Sequence, residues 1–208
     1  MFHAFRPWVH AMTTRRQFIE GAMATGIAAA SVPAGATALG LTGAGGSYLR
    51  LERVIFDERF ADAIAFAAVA RRQSVATSAV KGSIHDLWYQ DLSCRWRDGK
   101  YPIAGITDFR ALFLLEMMAG DVGLRVVYRA HHLESNGTRT HRVFGPAERR
   151  GAIRSRLSGA GADWARSAAG VVLGWPEYPT NVAPGGSNVL SAGIQALGPG
   201  TLISWIIR

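Results

Sequence analysis

The chain has 208 residues, a formal net charge of +8 and one cysteine, Cys94. A single cysteine excludes an intramolecular disulfide, an iron–sulfur cluster and covalent haem attachment. The length suits one domain with a core that needs no disulfide staples, and the charge is almost all arginine, with Lys81 and Lys100 the only lysines.

The first feature in chain order is "TTRRQFIEGAMATGIAAASVPAGATA", residues 13–38. Between Gln17 and Leu49 the only charge is Glu20. A basic start, an Ala/Gly-rich apolar run and the small-residue steps Ala34-Gly35-Ala36 and Ala36-Thr37-Ala38 make a secretory leader. Thr14-Arg15-Arg16-Gln17-Phe18-Ile19 resembles the twin-arginine (Tat) signal, whose pattern is Ser/Thr-Arg-Arg-x-Phe-Leu-Lys, with Ile19 in place of Leu and Glu20 in place of Lys. The resemblance makes Arg15, Arg16 and Phe18 the export signal and the Tat translocase a partner during export. It implies that the protein crosses the membrane already folded and ends in the periplasm or outside the cell. The usual cargo of that pathway is enzymes loaded with cofactor, or subunits that travel bound to them. Residues 21–46 are long enough to span a bilayer, which takes ~20 residues. Their larger apolar side chains are only Met23, Ile27, Val32, Leu39 and Leu41, which is thin for burial in lipid. The expectation is therefore a signal peptide over 1–38, a linker over 39–50, and a mature domain over 51–208 with no membrane span. An exported protein has no nucleic acid to meet.

Within 51–208, residues 51–56 read as a strand ending at Asp57. Phe60, Ile64, Ala67, Ala68 and Arg71 follow at helical spacing. Residues 77–81 and 102–106 read as strands, and Asp108 (or Thr107) can cap the next helix, "FRALFLLEMMAGDVG". That helix is apolar nearly all round, which predicts burial, with Gly123 closing it. Residues 124–133 form the longest strand. Two strand–helix–strand units, 52–81 and 102–133, predict parallel strands. Asn136-Gly137 is a two-residue hairpin turn whose central positions both need positive φ. It sets Ser135 opposite Thr138, Glu134 opposite Arg139 and His132 opposite His141, with an antiparallel strand over 139–144. Pro146 opens a basic helix to about residue 157, and another helix runs over 162–173. Residues 174–200, rich in Pro and Gly, read as a long loop with one helical turn near Leu190. Residues 201–207 are a last strand that docks into the sheet. The fold class is α/β: a single domain with a mixed, mostly parallel sheet of two βαβ units plus an antiparallel hairpin strand, and helices packed on the sheet.

Candidate chemistry falls in three places. His132 and His141, opposed at a Cβ separation of about 5 Å, with Glu134 one step away, are the candidate metal ligands. Zinc wants three or four protein ligands, so the pair is read as an exposed histidine couple beside a Glu134–Arg139 ion pair, with no metal and no cofactor expected. Open α/β sheets bind ligands at the carboxyl ends of their strands. Here those ends offer Asp57, His85, Asp86 and Asp108 as candidate catalytic residues; capping of helix starts is the competing role for Asp57 and Asp108. The stretch "HDLWYQDLSCRWRDG" gathers Trp88, Tyr89 and Trp96, aromatics of the kind found where a loop covers a sheet edge and at partner interfaces; with the basic Arg149 and Arg150 they are the candidate partner-binding residues. Cys94 assisted by His85 is a further nucleophile arrangement to check. There is no GxSxG, HExxH, phosphate-binding glycine loop or dinucleotide fingerprint.

The segments "DLWYQDL", "IAGITD" and "LISWII" resemble exported twin-arginine proteins of no known activity, a resemblance that carries over no functional residue. The leading functional expectation is a non-catalytic binding or companion subunit of an exported, possibly redox, enzyme. The alternative is a small periplasmic hydrolase working through the strand-end residues.

Overall fold

The computed structural model describes residues 47–177 and 200–208. The leader, residues 39–46 of the expected linker and the loop residues 178–199 lie outside the described residues.

The first unit is strand β1 (Arg53–Asp57), helix α1 (Ala61–Arg72) and strand β2 (Thr77–Val80), with β1 and β2 parallel. The second is strand β3 (Ile103–Thr107), helix α4 (Phe109–Asp121) and strand β4 (Val126–Ser135). Strand β5 (Thr138–Phe144) returns antiparallel to β4. Helices α5 (Ala147–Gly159) and α6 (Trp164–Leu173) follow, and strand β6 (Leu202–Ile207) closes the chain. The sheet order is β2-β1-β3-β6-β4-β5. β1 pairs parallel with β3, while β6 runs antiparallel between β3 and β4. The last strand therefore docks at the sheet's centre and parts the two strands of the second unit, which still point the same way.

Alternation along the strands divides the core in two. Val54, Phe56, Ala104, Ile106, Tyr128, Ala130, Leu202 and Ile206 face α1, α5 and α6, with Phe66, Ala67, Ala168 and Val172 packed on them. Ile55, Ile103, Ile203, Trp205 and Ile207 face α4 and the helical segment before β3. The class read from the sequence is the one observed: a single mixed α/β domain with a six-stranded sheet and helices packed against it.

The hairpin register is the predicted one. Ser135 opposes Thr138, Glu134 opposes Arg139 and His132 opposes His141. Asn136 and Gly137 have φ of 50° and 71°, the double positive φ that this turn demands. Asp108 caps α4, its Oδ1 accepting from Ala111 N at 3.0 Å.

Two local expectations need correction. α4 is not buried all round: Ala111, Leu112, Leu115 and Ala119 face the sheet, whereas Leu114 and Met117 are 43% and 56% exposed. A helix lying on one face of a sheet buries one stripe whatever its composition. The aromatic stretch expected as a covering loop is helical: α2 (His85–Leu87), a π-helical turn (Trp88–Leu92) and α3 (Ser93–Asp98). Ile84, Leu92 and Trp96 are buried and Trp88 packs against the same cluster. These core positions recur every four residues, overshooting the α-helical turn of about 3.6 residues. Over three steps the excess is about one residue, and a π turn absorbs it.

Candidate functional site

The densest buried polar group is centred on β4, β5 and β6. Tyr128, Ala130 and His132 alternate onto the α6 face of β4, and Ser204 is the polar residue of the otherwise apolar "LISWII" strand. Tyr128 Oη lies 3.2 Å from Ser204 Oγ, Ser204 Oγ 3.0 Å from His132 Nε2, and His132 Nδ1 2.8 Å from His141 Nδ1. Trp164, the first residue of α6, covers the pair with its ring 4.2 Å from His132 and 5.7 Å from His141. The histidines are 4% and 7% exposed, which corrects the expectation of an exposed couple. The cause is Trp164, which the hairpin itself does not reveal.

One proton arrangement makes all three contacts and uses both hydroxyl hydrogens within the chain. Tyr128 O–H donates to Ser204, Ser204 O–H donates to His132 Nε2, and His132 Nδ1–H donates to His141 Nδ1. Reversing the histidine end leaves one hydroxyl hydrogen, that of Tyr128 or of Ser204, with no acceptor in the chain, a cost of about 1–3 kcal/mol. Protonating both imidazoles would set two Nδ1 donors face to face at 2.8 Å. Burial is what favours the neutral form of each ring. Burial drives the His132 pKa well below its ordinary value, with His141, His131 and Arg139 adding to the effect. Burial first and Arg139 second lower that of His141. Burial likewise raises the Tyr128 hydroxyl.

Glu134 does not join the histidines. Arg139 binds it, also binds Asp62 of α1 at 2.6 Å, and lies over the Trp164 ring at 4.8 Å. The three candidate metal ligands are thus split: two Nδ1 atoms engage one another, and the carboxylate belongs to an arginine. Among the described residues no group of three or more His, Cys, Asp or Glu side chains is placed to hold a metal ion.

The strand-end rim has a different chemistry. β1 connects to β2 on one side and neighbours β3 on the other, so the crevice between the carboxyl ends of β1 and β3 is the topological switch point. Arg59 fills it. Its Nε donates to Asp57 Oδ1 at 2.8 Å, and its Nη2 donates to Asp57 Oδ2 at 2.5 Å and to Asp108 Oδ2 at 2.9 Å. The hydrogen bonds to Asp57 and then Asp108 raise the guanidinium's pKa further. Gly82 admits this arginine: a Cβ there would sit 2.4 Å from Arg59 Cζ. Asp57 is fully buried under the clamp, and the other oxygen of Asp108 caps α4. His85 and Asp86 are exposed on α2, and His85 packs on Tyr89 at 4.6 Å between ring centroids. Among the described residues no hydrogen bond or ion pair joins them to Asp57, Asp108 or Cys94. Cys94 is exposed beside Arg97 Nη2 at 3.6 Å.

The partner-binding candidates also separate. Trp96 is a core residue, its Nε1 donating to Tyr101 O at 3.2 Å with Trp88 edge-on at 5.9 Å. Tyr89 stands out into solvent. Arg149 lies over the Trp175 ring at 4.6 Å, whereas Arg150 is exposed on the outer face of α5. Ser204, Tyr128, Trp164 and Arg59 were not singled out from the sequence. Ser204 had a signal, a hydroxyl inside an apolar strand, and so did Arg59, two residues past a strand-end aspartate.

No family model matches this chain, and no curated protein or solved structure is significantly similar to it. Among the described residues no helix is long and apolar enough to cross a membrane.

Proposed function

We propose that this is a twin-arginine-exported binding domain that acts in the periplasm or outside the cell as a companion subunit of a larger exported enzyme. One observation carries the companion half. Tyr89, Tyr101, Leu114 and Met117, four of the exposed large apolar side chains, all belong to the layer formed by α2, the π-helical turn, α3, α4 and the turn into β3. Exposed aromatic and methionine side chains gathered on one side of a domain are the composition of a protein–protein interface core. The rim chemistry points the same way. Asp57 and Asp108, two of the four residues of the hydrolase reading, are tied to Arg59 in ion pairs and not held beside a nucleophile. The export half rests on Arg15-Arg16 and Phe18.

One experiment in exporting cells tests both halves. A photo-crosslinking residue is placed at Met117, at Leu114 and, as the opposite-layer control, at Arg154 on α5. The expected result is one larger exported protein joined to the first two positions and not to the third, lost in Leu114→Glu/Met117→Glu. Arg15→Lys with Arg16→Lys leaves the protein in the cytoplasm. Export of that double variant at the wild-type level refutes the address. Absence of an adduct, or an equal adduct from Arg154, refutes the companion surface.

A further inference from the structure

The side of the hairpin that faces α4 holds a second polar group, distinct from the histidine chain on the α6 side. Alternation turns Arg129 and His131 of β4 to this side, and their cross-strand partners on β5 are Phe144 and Arg142. His131 is 3% exposed, and neither its Nδ1 nor its Nε2 has a hydrogen-bond partner. Buried side-chain polar atoms in folded proteins are nearly always paired, because an unpaired one gives up its hydrogen bonds to water for nothing. An imidazole buried with both nitrogens unpaired therefore calls for an explanation.

The surrounding charge says what kind of partner is missing. Arg129 is buried, with its guanidinium over the Phe144 ring at 5.3 Å, and Arg142 is exposed directly across from His131. The carboxylate facing them is Glu116 of α4, whose Oε2 is 3.9 Å from Arg129 Nη1, the long edge of ion-pair range. Burial raises the Glu116 carboxyl, and Arg129 partly offsets this. Among the described residues, the charges of Arg129 and Arg142 thus face the half-buried carboxylate of Glu116. Burial and then the charges of Arg129 and Arg142 push the His131 pKa down to about 4, so the ring is a neutral N–H donor in a positive field. Phe144, with its ring 5.0 Å from that of His131, forms a rigid wall. Arg129 has a further interaction of its own and contributes its charge to this group.

We propose that this face of the β4–β5 hairpin binds a small oxyanion, a carboxylate or a phosphate, held between His131 and Arg142. The anion accepts the imidazole N–H and takes a two-pronged guanidinium contact from Arg142, the geometry in which arginine holds planar anions best. Entry is from the Arg142 side, where the cluster meets solvent. Arg129 supplies the buried countercharge that keeps the bound anion from being stranded. This goes beyond the companion-subunit reading and does not depend on it: a domain with no protein partner can carry this site.

The test is an imidazole NMR titration of the full 15N-labelled chain in chloride buffer at neutral pH, with acetate and inorganic phosphate as separate probes. The expected result is a saturable shift of the His131 ring nitrogens with Kd of about 1 mM or tighter, and a rise of the His131 pKa when the site is full. Arg142→Gln, a change at an exposed position, should weaken binding at least tenfold, while Arg150→Gln on α5 leaves it unchanged. Tighter acetate assigns the site to carboxylates, and tighter phosphate to phosphate groups. A linear, non-saturating shift with both probes overturns the proposal, as does an unchanged Kd in Arg142→Gln. His131→Phe adds a second check, with loss of the site expected; if that variant does not fold, Arg142→Gln decides alone.

Discussion

Mild acid should destabilise this domain at a pH where carboxylates still keep their charge. In the unfolded chain His131, His132 and His141 return to about 6.5. In the fold all three are held below that value by burial first, then by neighbouring positive groups. As pH falls through 6.5 the unfolded chain binds protons that the folded chain refuses. Stability is therefore fully present above about pH 6.5 and is lost as pH falls toward the folded values. For His131 the drop from 6.5 to about 4 amounts to about 3 kcal/mol when complete, of which about 2 kcal/mol falls between pH 7 and pH 5. His132 and His141 act with the same sign. Urea unfolding at pH 7, 6 and 5 in chloride buffer measures this through the midpoint at constant slope. Chloride matters because an oxyanion bound to the folded state adds its own stabilisation. The wild type should lose at least about 2 kcal/mol over the window, and His131→Phe about 2 kcal/mol less than the wild type. A flat profile from pH 7 to pH 5, or the same loss in His131→Phe, refutes the neutral-histidine argument.

Other perturbations read different parts of the structure. Ser204→Ala strips a partner from both Tyr128 Oη and His132 Nε2 and should cost about 2 kcal/mol or more in urea unfolding. Gly105→Ala puts a Cβ 2.2 Å from Ile55 O and 2.6 Å from Trp205 Cζ2; the backbone oxygen has nowhere to go, so the loss should reach about 3 kcal/mol. Replacing Asn136-Gly137 by Ala-Ala forces two alanines to positive φ at about 1–2 kcal/mol each, visible as a lower melting temperature with unchanged helix content. Elemental analysis of protein purified without chelator should find no stoichiometric zinc, copper or nickel. About one metal per chain, lost in both His132→Ala and His141→Ala, would show that the imidazoles part to ligate it.

What the sequence discloses follows the range of the interaction involved. The hairpin was legible to the residue because Asn136-Gly137 is a local device: once the turn is placed, counting along two strands sets His132 against His141 with no knowledge of anything else. Their burial was not legible, because it is imposed by Trp164, which belongs to a helix packed on from outside the hairpin. The same distinction separates the two roles of Asp108. Its cap on α4 is a contact three residues away, readable from spacing, whereas its bond to Arg59 spans 49 residues. That longer bond is the one that turns a possible acid–base rim into a closed ion-pair clamp. The α2–α3 segment was misread for a third reason. Its core-facing residues step by four, which fits neither the 3.6-residue template nor strand alternation, and only a π turn reconciles them with one face. β6 lies between these extremes. All six of its residues are buried, and a run apolar but for one serine is the mark of a strand covered on both sides. Such a run marks a central strand without saying between which neighbours. Ser204, placed by that insertion beside Tyr128 and His132 from a segment more than 70 residues later, completes the buried chain only because β6 enters between β3 and β4 and not at an edge.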